Sequence, residues 1–400
     1  MKVVVCGAGI AGLAAAGRFA ARGDEVVVLE RAPGPRPQGY MIDFFGPGHQ
    51  AAAATGLLPL LRERGYQVRE VAYLDAAGRR RAGLPFARFA ASRGGDLISI
   101  MRPDLEAALA EHLPDRVDLR YGATVVTVDD DEDGARVVLD DGAAVEADLV
   151  VGADGTRSVV RRQVVGPDRG VVRRLGFHTA AFTVDEPRVH AALRGRFCVT
   201  DTANRMVGAY GLRDGRVAVF TVHRSTDGQP ADPRAALRAE YGGLGWVVPR
   251  VLELCPPGER VYYDEVVQVE AARWRGRRVV LVGDAAHAVS LLAGQGASLA
   301  VAGASVLADR LDATRSVADG LAEYEARWRP VVTAVQRSAR RGMRWFLPET
   351  PGQLLVRRMA LRLAVLPVVN RVVVGVAAGS PVDLDAVLAD RTASATGVRT

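Results

Sequence analysis

The sequence predicts an α/β fold with a parallel-sheet domain, an antiparallel-sheet domain and a set of C-terminal helices. A β-branched apolar run at residues 2–6, a helical pattern at 11–22 and a second apolar run at 25–29 indicate an opening β-α-β unit. From about residue 171 to 270 the pattern changes to separated runs of aromatic and β-branched residues, which favours antiparallel strands. Helical periodicity dominates after Gln295.

Two further features of the first half support this reading. Pro103 opens a helical pattern over residues 102–113, at a position where its missing N–H costs nothing. Strands are predicted at 117–128 and 135–139, on either side of the acidic turn 129–133. The charges of that turn indicate a solvated hairpin tip rather than a metal site.

The remaining elements have clear apolar or alternating patterns. Further strands are predicted at 149–151, 177–184, 197–202, 206–212, 216–223 and 278–282, and further helices at 295–311 and 354–376. Residues 84–100 are expected to be a loop-rich insertion. We predict one domain from residues 1–70, 101–170 and 271–330, a second from 71–100 and 171–270, and a C-terminal helical segment at 331–400.

Composition limits the possible functions. The 400 residues carry a net charge of +6, but the arginines are dispersed, so no nucleic-acid partner is expected. Lys2 is the only lysine in the sequence, which excludes Schiff-base chemistry and a phosphate loop of the GKS/T type. Cys6, Cys198 and Cys255 have neither CxxC nor metal-ligand spacing, and therefore indicate a reducing cytoplasm without disulfides or a metal.

The sequence contains no apolar stretch of membrane-spanning length. We therefore expect a cytoplasmic monomer or homodimer without stable membrane insertion. The amphipathic tract at 354–376 leaves an alternative open, because Arg357, Arg358 and Arg362 could face lipid phosphates.

The spacing of Gly7, Gly9 and Gly12 predicts a dinucleotide site. These glycines lie between a strand and a helix, with Ala11 in the same turn, and Glu30 ends the second strand. This Rossmann-like arrangement places a pyrophosphate on the helix N-terminus and a carboxylate on the adenosine ribose. Because Glu30 would repel a 2′-phosphate, the bound nucleotide is FAD or NAD rather than NADP. Arg31 is expected to border the adenine.

Two further motifs favour FAD. Residues 152–158 contain Asp154 and Arg157 directly after a buried strand, and Arg102 opens a helix from which it could reach a phosphate or a flavin edge. Asp284 lies at the end of another strand. Further along the chain, Gly294, Gln295 and Gly296 lie at the start of a helix. The carboxylate can accept bonds from sugar hydroxyls, and the helix N-terminus favours the anion of reduced flavin.

In this order the three motifs resemble those of the class A flavoprotein monooxygenases, which have the para-hydroxybenzoate hydroxylase fold. The resemblance covers residues 1–330 and is more detailed for the tetracycline-inactivating branch. Its segments are similar to residues 39–43, 46, 48, 204–206 and 293–296. It implies FAD as cofactor, NADPH or NADH as transient reductant, and O₂ captured as a flavin hydroperoxide that hydroxylates or epoxidises a mid-sized aromatic or polyketide-like molecule.

The resemblance also implies site residues. Arg205 matches an arginine near the flavin that contacts substrate or nicotinamide; a strand-end arginine in solvent is the alternative. His287 is expected to pack behind the flavin rather than to act as a base. The residues expected to line the substrate pocket are Met41, Asp43, Phe45, Phe182, Met206, Tyr210, Phe220 and Leu291.

One departure from the family pattern leaves an alternative open. Family members usually carry a proline shortly after the GDAAH motif, which is residues 283–287 here, but in this sequence Ala288 and Val289 lead to Ser290 and Leu291. A natural-product cyclase or isomerase that binds FAD without redox turnover is therefore the second hypothesis. A flavin-dependent halogenase is disfavoured, because that family needs an active-site lysine.

Overall fold

A computed structural model describes residues 1–91, 95–132, 134–363 and 384–389. The strands in chain order are β1 (Lys2–Cys6), β2 (Glu25–Glu30), β3 (Met41–Phe45), β4 (Glu70–Leu74), β5 (Arg80–Pro85), β6 (Leu97–Met101), β7 (Asp118–Tyr121), β8 (Val125–Asp130), β9 (Ala135–Leu139), β10 (Ala144–Ala147), β11 (Leu149–Gly152), β12 (Val172–Val184), β13 (Phe197–Thr202), β14 (Arg205–Gly211), β15 (Val217–Arg224), β16 (Tyr262–Val269) and β17 (Val279–Leu281). The helices are α1 (Ile10–Ala21), α2 (Pro47–Ala54), α3 (Leu58–Arg64), α4 (Phe86–Ala91), α5 (Arg102–Glu111), α6 (Val159–Val164), α7 (Pro187–Leu193), α8 (Pro233–Tyr241), α9 (Val248–Glu253), α10 (Asp284–His287), α11 (Gly296–Ala313), α12 (Val317–Phe346), α13 (Pro351–Leu363) and α14 (Leu384–Ala389).

A parallel sheet in the order β17-β11-β1-β2-β7 forms the first layer. Val3, Val4 and Val5 on β1 are fully buried, as expected for a central parallel strand with both faces covered. The helices α1 and α11 pack against each other and contribute to the same core. Because parallel strands end at one edge, the turns after β1, β11 and β17 lie together at that edge.

A seven-stranded sheet in the order β16-β12-β15-β14-β13-β4-β5 forms the second layer. It is antiparallel except between β13 and β4. Its outer face packs on α8 and α9, whereas its inner face carries Tyr210 and Phe220. The predicted α/β class, with a Rossmann-like domain, an antiparallel-sheet domain and C-terminal helices, is confirmed.

Two segments differ from the sequence expectation. Residues 84–100 contain α4 and β6 rather than only loops, and β6 pairs with β3 instead of the seven-stranded sheet. The expected domain boundary at 330/331 falls inside α12, which continues through Pro330. Proline interrupts only one backbone hydrogen bond, and the buried Trp328 and Val332 on either side hold the helix together by packing.

The C-terminal arginines face protein and not lipid. On α13, Arg357 and Arg358 both form ion pairs with the buried Asp201, and Arg362 donates from Nε to the carbonyl of Arg81 at 2.6 Å. This geometry contradicts the membrane-facing alternative for these side chains. Residues 364–376 of the predicted tract lie outside the described residues. In the described part of the chain, no helix is long and apolar enough to span a bilayer.

Candidate cofactor and substrate site

One cavity of about 1010 Å³ runs from the edge of the parallel sheet to the inner face of the seven-stranded sheet. Its volume is at the upper end of the range of roughly 300–1,000 Å³ for ligand pockets. All three sequence motifs reach it. The predicted cofactor residues on its wall are Gly7, Gly9, Ala11, Glu30, Arg31, Arg102, Asp154, Arg157, Asp284, Gly294 and Gly296.

The glycines of the first motif have separate roles. Gly7 has φ +109°, and a Cβ there would lie 2.6 Å from the carbonyl oxygen of Ala153. A Cβ on Gly12 would lie 1.9 Å from the carbonyl oxygen of Gly7. Gly12 therefore permits close packing of α1 on β1 and does not itself line the cavity, whereas Gly9 does.

The Glu30 carboxylate is held at the nucleotide end of the cavity. It accepts hydrogen bonds from the backbone N–H groups of Ala8 and Ala32, each at 2.9 Å. The bond to Ala8 ties the end of β2 to the glycine turn, so the carboxylate is oriented before any ligand arrives. Arg31 lies beside it at the cavity wall, where its side chain is exposed.

The second motif is held by its own hydrogen bonds. Asp154 accepts hydrogen bonds from the backbone N–H groups of Val159 and Val160 at the start of α6, at 2.6 and 3.2 Å. Arg157 is 66% exposed at the cavity mouth and donates to Gln229 and Asp264. Arg161, in α6, is fully buried and donates to the carbonyl oxygens of Thr156 and Ala285.

Arg102 lies among several acids in the middle of the cavity. Its guanidinium pairs with Glu106 at 2.8 Å. Asp284 opens into the cavity but is surrounded by protein, and this desolvation raises the pKa of its carboxyl; Arg102 opposes the shift and Asp264 adds to it. Desolvation likewise raises the pKa of Glu106 and of Asp264. Arg102 is thus the cation best placed to meet an anionic ligand here.

The far end of the cavity, which we call the ring end, is lined by Asp284, residues 288–291, Gly294 and Gly296. A Cβ on Gly294 would meet nothing within 4 Å, and one on Gly296 only Val289 at 3.9 Å. This open space beside backbone at the start of α11 fits a planar ring. Gln295 is buried at the N-cap of α11 and does not line the cavity.

Five of the eight predicted pocket residues line the cavity, namely Met41, Asp43, Tyr210, Phe220 and Leu291. Met206 packs behind Phe220 in the core, and Phe45 is buried with its N–H bonded to Ser298. Phe182 lies on the outer face of the seven-stranded sheet, in the core with α8 and α9. Side chains alternate between the faces of a strand, and the register turns Phe182 away from the cavity.

Arg205 also lies on the outer face. It is the β14 partner of His223, one residue out of step with the inward Met206. Its guanidinium bonds the Thr202 hydroxyl at 3.1 Å and pairs with Glu240 at 3.6 Å. The family resemblance led us to expect Arg205 near the flavin, but it does not line the cavity. It is a half-exposed arginine at the end of a strand.

The cavity wall carries more aromatic residues than Tyr210 and Phe220, which the sequence predicted. Tyr40 packs against Phe220 and Tyr262, with ring centroids 5.5 and 5.7 Å apart. Burial raises the pKa of Tyr40 to about 12, so its hydroxyl stays protonated. The remaining aromatic lining residues are Tyr73, Phe86, Phe197, Tyr263, Trp345 and Phe346. Tyr40 lies inside a motif, but these six come from five separate segments that only the fold brings together.

His287 lies behind the cavity wall. Its ring packs on Trp274, with centroids 4.8 Å apart, and it is 3% exposed. Burial lowers the pKa of His287 to about 4, so the imidazole is neutral near pH 7. No cluster of potential metal ligands exists among the described residues.

Comparison with known proteins identifies the family. A family model described as FAD binding domain matches residues 1–339. The 2-heptyl-3-hydroxy-4(1H)-quinolone synthase of Pseudomonas aeruginosa is 33% identical over 316 residues, covering 77% of this chain and 80% of that protein. This chain belongs to the class A FAD-dependent monooxygenases. An uncharacterized Mycobacterium tuberculosis protein, Rv1260, is 35% identical over 341 residues, covering 81% of this monooxygenase and 88% of the relative.

Solved structures agree with this assignment. The tetracycline destructase Tet(55) matches with a TM-score of 0.79 and 25% identity, covering 96% of this monooxygenase and 98% of the destructase. HpxO of Klebsiella pneumoniae, in complex with FAD and uric acid, has the same fold, with a TM-score of 0.75 and 24% identity over 94% of this chain and 96% of that one. The cavity residues fit FAD, since a glycine turn, an oriented carboxylate, a central arginine and an open ring end follow one another along it.

Proposed function

We propose that this monooxygenase inserts one oxygen atom of O₂ into a mid-sized aromatic or polyketide-like molecule by hydroxylation or epoxidation. NADPH or NADH would supply two electrons, and the second oxygen atom would leave as water. The observation that carries the proposal is the continuity of the cavity from the Glu30 end to the aromatic wall. Bound FAD would supply the redox and oxygen chemistry.

We propose that the cavity-lining residues of the three motifs hold the cofactor. Gly7, Gly9 and Ala11 would face the pyrophosphate, with Glu30 on the ribose and Arg31 beside the adenine. Arg102, Asp154, Arg157 and Asp284 would contact the middle of the cofactor, and the backbone at Gly294 and Gly296 its ring.

The substrate class is inferred from the wall beyond the ring end. Tyr210 and Phe220 line the cavity there, and the Tyr210 hydroxyl accepts a hydrogen bond from the N–H of Met41. Asp43 is a carboxylate on this wall, and the Ser99 hydroxyl donates to it at 2.6 Å. Such a surface suits a planar apolar ligand with a hydroxyl or N–H that can donate to Asp43.

Oxygen uptake tests the proposal. The FAD-loaded protein is mixed with NADPH or NADH, first alone and then with a tetracycline, a 4(1H)-quinolone or uric acid as probe, chosen because the names of similar proteins mention these molecules. We expect one probe class to accelerate oxygen consumption and to gain one oxygen atom by mass. Product with no oxygen consumed would instead indicate the second candidate, a non-redox cyclase or isomerase.

The second candidate has one structural observation in its favour. Ser290, at the ring end, has φ +77° and ψ 152°. Proline fixes φ near −65°. The chain beside the ring therefore follows a path that a proline at this position could not take, and simple restoration of the family proline is not possible.

A further inference from the structure

Ser290 holds a conformation that needs support. Its φ of +77° and ψ of 152° lie in a region of backbone space that is nearly reserved for glycine. The residue is only 9% exposed, lines the cavity, and its hydroxyl has no hydrogen-bond partner among the described residues. Strained residues of this kind persist only where the surrounding structure fixes them. Because the Ser290 hydroxyl has no partner, it does not fix this conformation, and the support must come from the neighbouring backbone.

Two buried glutamines fix that backbone. Gln268, on β16 and fully buried, donates from Nε2 to the carbonyl oxygens of Val289 and Gln336, each at 3.0 Å. Gln336, on α12 and 5% exposed, donates from Nε2 to the carbonyl oxygen of Ala288 at 3.1 Å and to that of Val269 at 2.7 Å. The carbonyls of both residues before Ser290 are therefore held in place by side-chain amides.

Arg340 completes the arrangement one turn along α12. Its guanidinium donates to Oε1 of Gln268 and pairs with Glu270. The Gln268 amide then uses both its oxygen and its nitrogen, so it cannot flip or swing away without breaking buried hydrogen bonds. We call Gln268, Gln336 and Arg340 the amide bracket.

We propose that the amide bracket is a set of positioning residues that holds Ser290 in its strained conformation and thereby shapes the ring end for FAD. This inference rests on the function proposed above. The bracket touches neither cofactor nor substrate directly. In the family pattern, the pyrrolidine ring of a proline makes this segment rigid. Here the hydrogen bonds from β16 and α12 do so instead.

A double-mutant cycle on the FAD dissociation constant tests this. Gln268→Met keeps the side-chain length and removes the hydrogen bonds, so the strained segment relaxes and FAD binding is expected to weaken about tenfold. Ser290→Gly can keep the same φ and ψ without strain and should bind FAD as wild type does. In the Ser290→Gly background, Gln268→Met should therefore cost less than about threefold.

Two controls separate this role from general destabilisation. In the Ser290→Ala background the strain remains and the hydroxyl is gone, so Gln268→Met should again cost about tenfold. Gln163 bonds the N–H of Val128 and the carbonyl of Val126 away from the ring end. Gln163→Met should have the same small effect in every background.

Each outcome decides one question. Equal losses of FAD affinity on Gln268→Met with and without Ser290→Gly would overturn the bracket, because the two sites would then be independent. If Gln268→Met does not fold in either background, Arg340→Met enters the same cycle and decides by the same criterion. A wild-type protein that does not bind FAD stoichiometrically would contradict the proposed function itself, whereas FAD binding with additive losses would remove only the bracket.

Discussion

Arg161 donates a hydrogen bond to the carbonyl oxygen of Ala285 at 3.0 Å and so joins two sequence motifs that lie 124 residues apart. Its other terminal nitrogen donates to the carbonyl of Thr156 at 2.7 Å, and Asp168 balances its charge. The side chain is fully buried between β11 and α10. The turns that carry Asp154 and Asp284 are therefore held at a fixed separation before any cofactor binds.

Replacing Arg161 with methionine should loosen both motifs. Two buried carbonyls lose their donor, while Asp168 is 35% exposed and can be solvated, so we expect a loss of about 2–3 kcal/mol in the free energy of unfolding. FAD affinity should fall by about tenfold or more. Chemical denaturation and FAD titration measure the two effects. Arg162→Met, at the neighbouring exposed arginine, should stay within about 0.5 kcal/mol, and equal effects at the two positions would refute the argument.

The ion pairs of Asp201 should anchor α13. Its carboxylate is fully buried and meets both Arg357, which is 3% exposed, and Arg358. Asp201→Asn leaves a buried guanidinium without its counter-charge, which is expected to destabilise the fold by roughly 3–5 kcal/mol. Hydrogen exchange should rise across residues 351–363. Asp214→Asn, which removes a surface pair with Arg216, should cost less than about 1 kcal/mol and serves as the control.

The sequence was sufficient for the parallel sheet and for the prediction that Gly7 and Glu30 lie together at one end of a cavity. Gly7 and Glu30 could be predicted because their functions depend on local spacing within one β-α-β unit. Phe182 and Arg205 could not be placed, since which face of an antiparallel strand points inward depends on register with strands far away in the chain. The bridging role of Arg161 could not be predicted, because its partners, the carbonyls of Thr156 and Ala285, leave no trace in the sequence.

His287 should make the stability depend on pH. Burial lowers its pKa to about 4 from an ordinary value of 6.5, so the folded protein takes up the proton less readily than the unfolded chain. The resulting stabilisation is complete above about pH 6.5 and is lost as pH falls toward about 4, to a total on the order of 3 kcal/mol. His287→Phe keeps the contact with Trp274 and removes this loss. Unfolding free energies between pH 4 and 8 measure it.

His223 provides the internal comparison for that experiment. Burial, with His178 and Arg205 nearby, lowers its pKa to about 4 as well. The His287→Phe variant should therefore keep part of the acid-dependent loss, and removal of both imidazoles should flatten the profile further. If His287→Phe leaves the pH dependence of the unfolding free energy unchanged, the His287 imidazole is already solvated in the folded state.

Arg205 and Arg102 should differ sharply when each is replaced by methionine. Arg205 lies on the outer face and pairs with Glu240, whereas Arg102 lines the cavity beside Glu106. We expect Arg102→Met to weaken FAD binding about tenfold or more, since it removes the cation best placed for an anionic ligand. Arg205→Met should leave both the FAD dissociation constant and the rate of FAD reduction by NADPH within about twofold. Anaerobic stopped-flow reduction measures that rate. A slowing of about tenfold on Arg205→Met, with unfolding free energy unchanged, would show that this arginine reaches the nicotinamide after all, as the family resemblance implied.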